Sequence, residues 1–195
     1  DSPVAIEYLK RFAADWVAAH PEDTASDETT SQAVRDTLKG KKVAIIGSGP
    51  IGLTVARDLA AESAECEIFE ALPVPGGMMN IGIPSHRLPK EILDREIGEI
   101  VSHPNVKLHL STPVQLNGNE GDSKISLEDL RKDYDAIFLG MGAHKNLEMK
   151  IPGEDLEGVF YGAEFLRQVN LSHLGVKSAK IPKIGKQVAI IGGGN

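Results

Sequence analysis

One cysteine, Cys66, stands in 195 residues. A lone thiol excludes an internal disulfide, a CxxC redox pair and a thiolate cluster held by this chain alone. Its setting, CEIF within a strand-like run, reads as a small buried side chain. Long hydrophobic runs are missing too: nothing approaches the roughly 18 apolar residues that imply a membrane span, so no membrane is expected. No basic region followed by an apolar stretch opens the chain, and the expected location is cytoplasmic. The first residue is Asp1 rather than Met, which fits a cut or processed beginning. Surplus positive charge is absent as well. With 21 Lys and Arg against 28 Asp and Glu, net −7, and the basic residues scattered rather than striped, nucleic acid is not an expected partner. The 41% hydrophobic and 25% charged content is that of a globular chain, long enough for one full core or slightly more.

What is present is patterned. Residues 3–19 place Ile6, Leu9, Phe12, Ala13 and Trp16 on one face of a helix, with Glu7, Lys10, Arg11 and Asp15 on the other. Residues 20–31 hold Pro21, Glu22, Asp23, Asp27, Glu28 and several hydroxyls but no large apolar side chain, the composition of a solvated linker. Beyond it VAIIG reads as a buried strand, residues 51–63 as a helix and CEIFE (66–70) as a second strand, a βαβ unit. A helix over 88–103 with Pro89 in its first turn, a strand over 106–110, a helix opened by Ser126 and Asp129 as a capping box, a strand over 134–140 and a helix over 162–170 follow. QVAII near the end reads as a last strand. Alternating strands and helices predict an α/β fold, Rossmann-like and doubly wound, preceded by a helical segment. The expected parts are residues 1–40 as helix and linker, 41–160 as the first segment of a dinucleotide-binding domain, 161–185 as a connection, and 186–195 as the first strand of a second such domain.

The chemistry sits in the loops. Strand, GSGPIG and helix together form the turn that approaches a pyrophosphate: Gly47 for the tight bend, Gly49 for bare backbone against the ligand, Gly52 for close helix packing. The helix amides and its positive end then face the phosphates. Glu70 ends the next strand, 18 residues past Gly52. Its carboxylate would accept from both hydroxyls of an adenosine ribose and repel a 2′-phosphate, which suits FAD or NAD at this site. The phrase recurs: residues 186–195 match residues 41–50 at seven of ten positions, ending in Gly192, Gly193 and Gly194. Two phrases imply two nucleotide sites.

Beyond these loops, the run PVPGGMMNIGIPSHRLPKEILDREI (73–97), the opening PVAIEYLKRFAADW, YDAIFLGMGA, IPGEDLEGV and VAIIGGGN together resemble one family over nearly the whole chain. It is the flavoprotein family of the glutamate synthase small (beta) subunit, the FAD and NADPH domains of dihydropyrimidine dehydrogenase, and related NAD(P)H-ferredoxin oxidoreductases. The resemblance implies FAD on Gly47, Gly49, Pro50, Ile51 and Gly52, the adenosine ribose on Glu70, and further cofactor backbone on Gly76, Gly77 and Met78. It implies Arg87 at the flavin, Val114 beside the adenine, Gly140 and Gly142 at the strand end against FAD, and Gly194 and Asn195 at the start of an NAD(P)H loop. Ile51 departs from a usual alanine, Asn80 and Ile81 from an aromatic, and His86 from another aromatic before Arg87. As a lone histidine His86 reads more readily as a surface group than as a proton donor.

The implied activity is that of a flavoprotein oxidoreductase, with hydride passing from NAD(P)H to FAD and electrons leaving singly to an iron–sulfur or ferredoxin-type partner. The clusters would sit in a neighbouring domain or subunit, with a glutamate synthase large subunit among the candidates; no metal site and no catalytic side chain is expected in the chain itself. The resemblance also implies that the FAD domain is completed by a later segment. The alternatives are a nucleotide-binding or docking module without turnover by itself, and a plain α/β structural domain, which would make Glu70, Gly76, Gly77 and Arg87 accidental. NADH against NADPH, the terminal acceptor and the oligomeric state stay open.

Overall fold

The computed structural model describes residues 3–20, 36–116 and 125–193, and the chain divides into two compact units, Asp1–Arg35 and Asp36–Asn195. Most of the linker expected over 20–31, together with Gly194 and Asn195, lies outside the described residues.

In the first unit the helical periodicity is realised as α1 (Ile6–Ala19). Arg11 Nε donates to both oxygens of Asp15 one turn on (2.9 and 2.8 Å), and the Trp16 ring stacks on His20 at 3.8 Å. None of its residues is buried; Ile6, Leu9, Phe12 and Trp16 are all exposed.

The second unit is built on β1 (Lys42–Ile46), α2 (Pro50–Ala61), β2 (Glu65–Phe69), α3 (Met78–Ile81), α4 (Lys90–Val101), β3 (Val106–His109), β4 (Val114–Gln115), β5 (Ile125–Ser126), α5 (Leu127–Asp133), β6 (Ala136–Leu139) and α6 (Gly162–His173). The main sheet has the order β3-β2-β1-β6, every pair parallel, with Ile45 level with Ile68 on one side and Phe138 on the other. A parallel sheet needs crossovers over its faces, so both faces of its central strands are apolar. Alternation sorts them. Val43, Ile45, Cys66 and Ile68 point into the cluster shared with Leu53, Ala56 and Ala60 of α2 and Leu93 and Ile97 of α4. Ala44, Ile46 and Phe69 point the other way, onto Leu130 of α5 and the partly buried Val114, Ile125 and Ile137. Ile45 and Ile68 are fully buried, each stabilising the fold by about 1.5–3 kcal/mol relative to an exposed side chain.

The expected capping box is present: Asp129 N donates to Ser126 Oγ (3.1 Å) and Ser126 N to Asp129 Oδ2 (3.2 Å), starting α5. The predicted helix at 162–170 runs one turn further, to His173. The short pair β4–β5 and the single turn α3 carry no periodicity long enough to be read from the sequence. One expectation is corrected. QVAII (187–191) forms no strand; Val188, Ile190 and Ile191 are 59%, 84% and 77% exposed. A strand is held by a ladder to a neighbour, and none of the described strands pairs with this segment. Among the described residues no helix is long and apolar enough to cross a membrane.

Candidate dinucleotide-binding site

β1 ends at Ile46 and α2 begins at Pro50, leaving three residues to reverse the chain. Gly47 makes the bend with φ +102°, a left-handed conformation that L side chains rarely adopt, while its N–H donates to Phe69 O at 2.8 Å. A Cβ there would meet Gly140 O at 2.6 Å, so the end of β6 closes directly on the turn. A Cβ at Gly52 would overlap the Gly47 carbonyl oxygen, which is how the first turn of α2 comes to lie against the loop. Gly49 is the extended N-cap of α2 and Pro50 its first residue, whose missing N–H costs nothing at this position. The amides of Ile51 and Gly52, in the first turn, have no acceptor within the helix, and the helix dipole adds a partial positive charge.

A second loop meets the first. Gly76 N donates to Ser48 O (2.9 Å), and a Cβ at Gly77 would stand 2.9 Å from Gly49 Cα. Below it Lys90 Nζ donates to the carbonyls of Asn80 (2.7 Å) and Ile83 (3.1 Å), tying α4 to the end of α3. Burial holds the Lys90 pKa below the ordinary lysine value, against the opposing charge of Asp94.

The result is a cleft of about 270 Å³ lined by Gly47, Gly49, Pro50, Ile51, Glu70, Gly77, Met78, Gly140 and Gly142 among the expected residues. Leu72, Met141, His144 and Arg167 join them. Gly52 and Gly76 do not line it; they hold the two loops together from behind. Arg87 and His86 are exposed on the loop before α4 and do not line the cleft. Val114 is half-buried, packed against the second core cluster, and does not line the cleft either. Leu72 and Met141 neighbour motif residues, whereas His144 and Arg167 carry no motif and could not have been found by spacing.

Glu70 has a second role that spacing does not reveal. Buried to 6% exposure, it accepts from Ser48 N (2.9 Å) and Ser48 Oγ (2.6 Å) on Oε2 and from Leu72 N (2.8 Å) on Oε1. It therefore clamps the β1–α2 loop to the chain leaving β2. A carboxylate offers roughly four acceptor positions, so capacity for a ribose hydroxyl survives on Oε1. Cys66 has the role expected of it: 1% exposed, inside the core, its thiol pushed up to about 11 by burial. A thiol protonated to that degree is a poor nucleophile.

On the opposite face of the sheet from α2 lies a polar group outside the cleft. His109 Nε2 is 2.7 Å from Glu67 Oε2, Lys107 Nζ 3.5 Å from Glu67 Oε1, and the Phe69 ring stacks on His109. Burial would raise the Glu67 pKa, but the His109 hydrogen bond and the Lys107 charge outweigh it and hold the group below the usual value. Tyr134, meeting Phe69 edge-on, is pushed up to about 12 by burial and by the Glu67 charge.

A turn with this geometry, a parallel sheet of order 3-2-1-6 and an acidic group after the second strand together define a dinucleotide cradle. Residues 41–195 match the sequence pattern of the pyridine nucleotide-disulphide oxidoreductases. The chain belongs to this family. Members bind FAD and NADP(H) and are oxidoreductases. Among curated relatives, the chain is 38% identical over 216 residues to the NADP(+)-dependent formate dehydrogenase subunit beta of Moorella thermoacetica, covering 100% of this chain and 28% of that one. It is 37% identical over 203 residues to the NADPH-Fe(3+) oxidoreductase subunit beta of Geobacter sulfurreducens (100% and 26%), and 34% identical over 160 residues to the glutamate synthase [NADPH] small chain of Escherichia coli (80% and 32%). The chain thus spans about a third or less of the length of these relatives. The fold is shared with FprA of Mycobacterium tuberculosis in complex with NADPH, at TM-score 0.59 and 22% identity over 71% of this chain and 30% of that one. Within a family named for disulphide chemistry, Cys66, alone and buried, provides no dithiol.

Proposed function

We propose that this chain is the FAD-binding part of an NAD(P)H oxidoreductase that delivers electrons to an iron–sulfur partner. The observation that carries the reading is the cleft itself: the Gly47 bend, the free amides at the start of α2, Glu70 with spare acceptor capacity, and Gly77 pressed against Gly49. The residues fit the group. The amide of Ile51 at the start of α2 would hold the pyrophosphate, with Gly47 and Gly49 giving it room, Oε1 of Glu70 the adenosine ribose, and Met78 with Gly140 and Gly142 the backbone of the second half. The chemistry that a bound flavin supplies is the acceptance of a hydride from NAD(P)H and its release as single electrons. No side chain of the cleft acts as acid, base or nucleophile in this scheme; the protein's work is placement.

The names of the relatives support both ends of the scheme. NADP(H) occurs in three of them, Fe(3+) reduction in one, and all three are subunits or small chains, so the partner is read as an iron–sulfur protein or domain of a larger assembly. A glutamate synthase large subunit is one such partner and formate oxidation another source of electrons. The test is an anaerobic titration of the full-length protein reconstituted with FAD. The expected result is a flavin spectrum that is bleached by NADPH or NADH and restored by a ferredoxin-type acceptor. A protein that stays colourless after incubation with FAD would overturn the reading.

A further inference from the structure

The cleft continues past the glycine loop. A second hollow shares Met78, His144 and Arg167 with it but none of Gly47, Gly49, Glu70 or Leu72, and is completed by Ile81, Ala143, Lys145, Ala163 and Glu164. If Glu70 marks the adenosine end and the start of α2 the diphosphate, the members common to both hollows lie where the other half of the dinucleotide must run.

Arg167 is the group at that junction. It stands on α6 one turn before Asn170, and Asn170 is buried with its Nδ2 donating to Ile81 O at 2.8 Å. That bond, spanning 89 residues, fixes α6 against α3 and turns the face carrying residues 163, 164, 167 and 170 toward the cleft. The Arg167 side chain is 35% exposed, yet its Nε is buried and, among the described residues, has no acceptor. Its acidic neighbour is distant: Nη1 lies 3.9 Å from Glu164 Oε2, too long for a hydrogen bond. The other polar side chain at the junction has one ring nitrogen engaged, His144 Nε2 lying 2.8 Å from Met141 O. Since Nε is covered, the exposed part of the guanidinium is its terminal N–H groups, which among the described residues have no acceptor within hydrogen-bond distance and are the donors that a ligand in the cleft can meet.

We propose that Arg167 binds the flavin-bearing half of FAD, its guanidinium donating to the hydroxyl and ring-carbonyl acceptors of that half. This rests on the reading of the cleft as an FAD site. Arginine suits such acceptors because it remains cationic, offers only donors, and presents them in a rigid plane. The sequence motifs assign no role to this position, and Arg87, the arginine that the resemblance put at the flavin, is exposed and does not line the cleft.

ADP separates the alternatives because it carries the adenosine and diphosphate of FAD and lacks the other half. Affinities of the flavin-free full-length protein for FAD and for ADP are measured by titration calorimetry, for the wild type, R167Q and R167K. Loss of a hydrogen bond from a charged donor should weaken FAD about tenfold or more in R167Q while ADP changes less than about twofold, with R167K recovering part of the loss. ADP affinity doubles as the control for folding. Equal weakening of FAD and ADP would mean that Arg167 serves the diphosphate or the fold, and no change in either would mean that it serves neither ligand; both outcomes overturn the proposal. A wild type that binds neither FAD nor ADP would instead overturn the FAD reading on which it rests.

Discussion

Replacing Glu70 by alanine should unfold the protein more readily even before any cofactor is added. The carboxylate holds three donors at once, Ser48 N and Oγ on one oxygen and Leu72 N on the other. Ser48 is fully buried, so its amide has no water to turn to, whereas its hydroxyl can rotate and Leu72 lies nearer the surface. Net values of about 1.5–3 kcal/mol per hydrogen bond to a charged group, with only part of that loss offset by solvent, give a destabilisation of roughly 3–5 kcal/mol. For a domain of this size that corresponds to a fall in Tm of roughly 6–20 °C. Glutamine in the same place makes a sharper comparison. Whichever way its amide is turned, one backbone N–H faces the NH₂ group, so Glu70→Gln should fall between alanine and the wild type. Thermal unfolding of the flavin-free full-length protein, followed by circular dichroism, reads all three. An alanine variant whose flavin-free Tm stays within about 2 °C of the wild type, less than the shift expected from losing even 1 kcal/mol, would refute the clamp and leave Glu70 as a ligand residue alone.

Gly52→Ala should be severe, because the added Cβ meets the Gly47 carbonyl and the Ile45 side chain, and backbone on that side cannot yield. A loss of about 1–3 kcal/mol or more in urea unfolding, with FAD affinity reduced at least about tenfold, is the expected result, and an unchanged titration would contradict the close approach of loop and helix. Tyr134 should titrate near 12 while an ordinary phenol ionises near pH 10. Because the folded value is raised, the associated stability is complete below about pH 10 and disappears as the pH rises toward 12. The phenolate absorbance of the wild type minus that of Tyr134→Phe isolates this group, and a midpoint near 10 would show that neither burial nor Glu67 acts on it.

Much of the fold was legible because its signals are local. A strand announces itself by a run of five apolar residues, a helix by spacing of three and four, a cap by Ser126 and Asp129 three apart, and a phosphate turn by Gly47, Gly49 and Gly52. The elements so read appear in the structure within a few residues of their expected ends. QVAII shows the limit of that method: its composition is that of β1, yet composition supplies no neighbour, and without a ladder the same apolar side chains are exposed.

The amino-acid sequence by itself determined the β1–α2 turn, the acidic end of β2 and the order of strands and helices, since each depends on residues within one or two turns of each other. Tertiary structure alone decided that Glu70 clamps Ser48 and Leu72, that Gly77 closes on Gly49, and that Arg167 reaches the cleft through the Asn170 contact with Ile81. Those partners lie from 2 to 89 positions apart with no period connecting them. Which of them meet is settled by how the faces of a parallel sheet and its helices bury their apolar sides, and polar groups then pair with whatever that packing brings within reach.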